Sequence, residues 1–171
     1  MFSCSCLSWN SDVFILTYGA IVSSVLKNCE NVQTANEKLE KIGFNIGTRL
    51  IDDFLVKSAF QCRTFRETID GVKVAFKMYL GINIEVRHSS SIDGKSDEIS
   101  EYSIELKENP LNEYVELPHE LTSLRYLAIL CGVIKGALAQ IGIRTEVRET
   151  STVLRRESSC DVLKVTFLGS D

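Results

Sequence analysis

Six cysteines are the side chains of this 171-residue chain best suited to covalent chemistry: Cys4, Cys6, Cys29, Cys62, Cys131 and Cys160. Cys62 differs from the others in its setting. It stands just before Thr64 and Glu67, whose spacing marks the start of a capped helix. A thiol near a helix N-terminus faces the positive end of the macrodipole, which favours thiolate and nucleophilic character. On the residues alone three readings stay open: a buried inert thiol, an acylated one and a redox-active one. Cys4 and Cys6 form a C-x-C pair without the second pair or nearby histidine that tetrahedral metal ligation needs. They read as part of an N-terminal tail. His88 and His119 both fall in expected connections, with no Cys or carboxylate at a ligand spacing. No G-x-G-x-x-G, Walker A loop or G-x-S-x-G elbow occurs. Nothing here argues for catalysis by the chain's own residues.

The elements that would position Cys62 follow from periodicity. A first helix is expected from Asp12 to about Asn28, with Phe14, Tyr18, Ile21 and Val25 on its apolar stripe. Thr34 and Glu37 have capping-box spacing and open a second helix. Its stripe of Leu39, Ile42, Ile46, Leu50 and Phe54 keeps phase through Gly43 and Gly47, which predicts one continuous helix. Each interior glycine costs ~1 kcal/mol relative to alanine, a cost recovered where another backbone packs closely. A third helix carries Phe65, Ile69, Val72, Phe76 and Tyr79, and Gly81 is placed to stop it.

The period then changes to two. Residues 82–87 and 99–106 alternate as strands, with Tyr102, Ile104 and Leu106 on one face and a loop over 88–98. Asn109-Pro110 and Leu117-Pro118 bracket an extended connection, after which a fourth helix is expected from about Thr122 to Gln140. Gly132 and Gly136 repeat the spacing of the earlier pair, and residues 143–149 and 162–168 read as a closing hairpin. The fold class is therefore α+β, with helices packed on a four-stranded, mainly antiparallel sheet in the order ααα-ββ-α-ββ. Residues 1–11 are expected as a tail and residues 12–171 as a single domain.

A hydrophobic fraction of 44%, a charged fraction of 25% and a net charge of −4 are those of an ordinary globular protein. Arg144, Arg148, Arg155 and Arg156 are interleaved with Glu146, Glu149 and Glu157, so no groove tracking nucleic-acid phosphates is expected. The absence of a secretory signal predicts reduced cysteines in a cytosolic compartment. Val13 to Leu26 is shorter than the ~20 residues of a membrane span, and Leu124 to Ile143 contains Arg125 and Lys135. Both read as buried helices.

Seven blocks of residues, in order, resemble a known family. They are Leu16-Thr17-Tyr18-Gly19-Ala20, Gly43-Phe44-Asn45-Ile46-Gly47, Arg49-Leu50-Ile51-Asp52-Asp53-Phe54-Leu55, Val74-Ala75-Phe76-Lys77-Met78-Tyr79-Leu80-Gly81, Asn109-Pro110-Leu111, Val115-Glu116-Leu117-Pro118 and Cys131-Gly132-Val133-Ile134-Lys135-Gly136-Ala137-Leu138. Together they span most of Phe14 to Phe167 and resemble the Bet-three type of small subunit in TRAPP, the transport protein particle of the early secretory pathway.

The resemblance implies a non-catalytic core subunit of a complex that tethers vesicles and promotes nucleotide exchange on a Rab GTPase in ER-to-Golgi transport. It implies S-acylation at Cys62, with the tail in an apolar channel walled in part by Ala75 and by small residues of the fourth helix. The implied partners are a second copy, as a homodimer, and other small TRAPP subunits, as heterodimers. Tyr18, Gly43 and Gly47 would lie in the dimer interface. The Rab GTPase would be met through the assembled complex. No metal is implied, and no cofactor beyond a covalent palmitate-type chain. The implied location is cytoplasmic, peripheral to cis-Golgi and endoplasmic reticulum membranes. Gln61 departs from the pattern, since many relatives carry a basic residue before the cysteine. The GTPase contact that a longer C-terminal tail makes in some relatives is not carried over. The competing readings are a stand-alone acyl- or lipid-binding module and a self-acylating thiol protein.

Overall fold

The computed structural model describes residues 5–60, 64–88, 101–156 and 158–170, with only the backbone of 5–11. Helix α1 (Ser5–Lys27) begins seven residues before the expected Asp12, so part of the expected tail is helical. Helix α2 (Val32–Ser58) is continuous through both glycines. Its cap is not the expected Thr34–Glu37 box: the Asn31 side chain accepts from the Thr34 N–H, and the helix opens three residues earlier. Ala59, in the left-handed region at φ 51°, ends it.

Helix α3 (Phe65–Tyr79) has the expected reciprocal capping box between Thr64 and Glu67. Gly81, at φ +72°, follows it. Strands β1 (Glu85–His88) and β2 (Glu101–Leu106) pair antiparallel, so the chain does reverse between them. Ile82 and Ile84, expected within the first strand, instead form the lead-in to it. The expected loop residues 89–98 lie outside the described residues.

The fourth helix, α4, is shorter than expected and runs Ala128–Gln140. Residues 122–127 turn instead, because long-range polar contacts engage their backbone. The Asn36 side chain donates to the Ser123 carbonyl and accepts from the Arg125 N–H. The buried carboxylate of Glu149 accepts from the Leu127 N–H and from Arg155 at 2.8 Å. A partner distant in sequence thus caps a helix that lacks a side-chain cap of its own. Strands β3 (Ile143–Ser151) and β4 (Asp161–Ser170) complete an antiparallel sheet in the order β1-β2-β4-β3.

One sheet face is buried through Tyr102, Ile104 and Leu106 of β2, Val147 of β3, and Leu163 and Val165 of β4. Phe65 of α3 packs over it, with its ring 5.1 Å from those of Tyr102 and Phe167. The period-two pattern and the helical stripes thus bury into one core. Among the described residues, no helix is long and apolar enough to cross a membrane.

Candidate functional site

The helix layer rests on one close crossing, between α2 and α4. A Cβ built on Gly43 would lie 2.0 Å from the Ile129 carbonyl oxygen, and one on Gly47 would lie 2.1 Å from that of Val133. From the other side, Cβ atoms on Gly132 and Gly136 would meet the Glu40 and Phe44 carbonyls at 2.1 and 2.2 Å. Four glycines let the two backbones touch, and Glu40 clips the crossing through Lys135 at 2.7 Å and Arg125 at 3.5 Å. Gly43 and Gly47 therefore face α4 of their own chain, which fills the space beside them. Tyr18 is likewise buried within the chain, donating to the Tyr126 carbonyl at 2.9 Å.

The tight crossing holds α4 against the middle of α2, and α1 and α3 contribute the remaining helical walls around it. Between the four helices lies a cavity of about 490 Å³. Its walls come from Phe14 and Ile21 of α1, Leu50 and Phe54 of α2, Val72 and Ala75 of α3, and Val133 and Ala137 of α4, among others. No charged residue lines it among the described residues. Four wall side chains carry oxygen, and each binds protein. Thr17 donates to the Val13 carbonyl, Tyr18 to that of Tyr126, and Thr68 to that of Phe65. Tyr79 donates to Asp53 at 2.8 Å. The lumen therefore offers methyl, methylene and ring surface with no free polar group, a setting for an aliphatic chain and a costly one for any charge.

Phe60 lines the cavity where α2 gives way to α3, and its ring lies over Gly71, where a Cβ would approach it at 2.9 Å. Gly71 thus lets the Phe60 ring approach α3 closely. Cys62 lies outside the described residues; Phe60 and Thr64 are the nearest described residues on either side. The expected wall residue Ala75 does line the cavity. From the fourth helix, Ala137 lines it, whereas Gly132 and Gly136 are taken up by the crossing.

The other described cysteines are unsuited to nucleophilic work or lie away from the lumen. Burial, followed by the nearby Glu149 carboxylate, pushes the Cys131 thiol up to about 12. Cys29 and Cys160 are free and half-buried, and neither lines the cavity. Among the described residues, no group of three or more His, Cys, Asp or Glu side chains is placed to hold a metal ion.

Residues 14–166 match the family model for transport protein particle (TRAPP) components. The chain belongs to the TRAPP component family. Within it, the curated relatives place this TRAPP subunit in the Bet-three type. It is 38% identical over 156 residues to trafficking protein particle complex subunit 3 of Dictyostelium discoideum, covering 90% of this chain and 81% of that one. It is 40% identical, with the same coverage of each, to transport protein particle subunit bet3 of Schizosaccharomyces pombe. A crystal structure of trafficking protein particle complex subunit 3 from Naegleria fowleri, covalently bound to palmitic acid, superposes with a TM-score of 0.86 at 38% identity. That match covers 95% of this TRAPP subunit and 98% of the other chain.

Proposed function

We propose that this chain is a structural core subunit of TRAPP whose cavity holds a palmitate-type acyl chain joined to Cys62 as a thioester. The observation that carries the proposal is the cavity: about 490 Å³, without a charged residue among its described walls, and lined in part by Phe60. Two peptide units span at most about 7 Å, so covalent geometry keeps the Cys62 backbone within that distance of Phe60. The covalently bound palmitic acid of the Naegleria fowleri relative supports the same occupant. The chemistry is a thioester exchange: the Cys62 thiol attacks an acyl thioester, its proton is lost, and the donor thiol leaves. Each buried methylene contributes roughly 0.8 kcal/mol, so the tail acts as a removable piece of the core.

In this reading the chain does no catalysis of its own. It dimerises with itself and with other small TRAPP subunits. Through the assembled particle it contributes to vesicle tethering and to nucleotide exchange on a Rab GTPase in ER-to-Golgi transport, at the cytoplasmic face of those membranes. The membership of the family supports this role.

Intact-mass measurement on protein from a eukaryotic source tests the acyl assignment. The expected result is one fatty-acyl adduct that hydroxylamine removes and that Cys62→Ser never acquires. Hydroxylamine-treated protein is expected to melt at a lower temperature than the acylated form. An unmodified mass, or an adduct that persists in Cys62→Ser, overturns the assignment.

A further inference from the structure

Helices carry most of the cavity's walls, so those side chains stand where helix packing puts them. Phe60 is set differently. It lies beyond the end of α2, half-buried, with its ring against the lumen. Three local features fix it. Ala59, at φ 51°, turns the chain off the helix in the left-handed region. The Ser58 hydroxyl donates to the Phe54 carbonyl at 2.7 Å and accepts from the Phe60 N–H at 3.2 Å. That ties the chain beyond α2 to its last turn. The buried Phe54 ring stands 6.1 Å from the Phe60 ring, tilted by 47°.

The seat for the ring is on α3. A Cβ on Gly71 would lie 2.9 Å from Phe60 Cε1 and 3.4 Å from Cδ1 and Cζ. A corner of the ring thus fills the place of the missing side chain. Gly71 is itself buried and lines the lumen. An interior glycine weakens a helix, and here the ring uses the space it leaves. The glycines of the α2–α4 crossing meet backbone, whereas Gly71 meets the far end of a side chain that can rotate. This wall can therefore shift without moving a helix.

For a straight apolar chain, the space inside the walls decides how many methylenes leave water. Each methylene that fits tightens binding by about fourfold, and one that does not fit adds nothing or meets a clash. Affinity therefore climbs with chain length and breaks where the lumen is full.

We propose that Phe60, positioned by Gly71, sets the length of acyl chain that the cavity accepts. The proposal rests on the acyl reading of the cavity. Hydroxylamine-treated full-length protein tests it, titrated with lauric, myristic, palmitic, stearic and arachidic acids. Each acid displaces the fluorescent fatty acid cis-parinaric acid. The parent is expected to gain about fourfold per methylene up to palmitic acid and nothing beyond it.

Phe60→Ala gives the ring's space to the tail, and its gain is expected to continue to stearic acid or further. In Gly71→Ala the ring must leave α3, and the anchored backbone and Phe54 leave it no room on the α2 side. Its break is expected one acid earlier, with palmitic acid bound about sixteenfold more weakly than by the parent. Both variants are expected to keep native circular dichroism. In the Phe60→Ala background, Gly71→Ala is expected to shift the break by less than it does alone, since no ring stands over the added methyl.

A break that stays at the parent's acid in Phe60→Ala or in Gly71→Ala overturns the proposal and leaves the acyl reading standing. Equal shifts by Gly71→Ala in both backgrounds overturn its action through Phe60. A parent that binds neither cis-parinaric acid nor any member of the series overturns the acyl reading and this proposal with it.

Discussion

Tyr18 and Tyr79, which line the cavity, and Tyr126, whose carbonyl accepts from the Tyr18 hydroxyl, show how burial keeps phenols neutral in and beside the wall. Burial pushes Tyr79 up to about 12, and its hydrogen bond to Asp53 adds to the shift. Burial alone pushes Tyr126 up to about 12, and Tyr18 is raised well above its ordinary value by burial and then by nearby Cys131. In each case the folded protein favours the neutral phenol. The stabilisation is therefore fully present below the unfolded value of about 10 and is lost as pH rises through the folded value. Ultraviolet difference spectroscopy should find these three unionised at about pH 11, where unfolded tyrosines are mostly phenolate. The Tyr79→Phe variant should show one fewer late-titrating group. A native protein whose tyrosines all ionised near the ordinary value would contradict the packing around these phenols. Tyr79 was legible in the sequence only as part of an apolar stripe; its bond to Asp53 joins residues 26 apart, and no local pattern encodes it.

The same limit applies to whole elements, as the α2–α4 crossing illustrates. Periodicity through Gly43 and Gly47 correctly implied a continuous helix with a close neighbour, because a repeated glycine cost needs a compensating contact. It could not say whose backbone that neighbour was; at both glycines it is that of α4 in the same chain. Nor could it place the start of α4, which depends on Asn36 and Glu149, each from another element. The crossing yields a paired prediction. Gly43→Ala must push aside the Ile129 carbonyl and should destabilise by about 1–3 kcal/mol or more, as overpacking does. At Gly19 the built Cβ would sit 3.5 Å from the Tyr126 hydroxyl, an ordinary contact. Gly19→Ala should therefore be neutral or stabilising by up to ~1 kcal/mol through helix propensity. Urea unfolding of the two variants checks both signs, and equal effects would contradict the crossing.

At the scale of the molecule, the fold class and element order were legible because each segment's period matches the layer it joins. The cavity was legible only in fragments. Ala75 was named as a wall, but Phe14, Ile46 and Phe60 were not, since an apolar residue facing a lumen looks in sequence like one facing a core. Packing four helices around a space rather than filling it is a property of the whole layer. The tight glycine crossing brings α2 and α4 together, and the larger side chains of α1 and α3 stand around what remains. The proposed occupant of this space is an acyl chain on Cys62. An electron-density map of protein purified from a eukaryotic source tests that most directly. Continuous density from the Cys62 sulfur past Phe60 and Ala75 into the lumen is the predicted result. A bare Cys62 sulfur beside a lumen filled by side chains or water would contradict it.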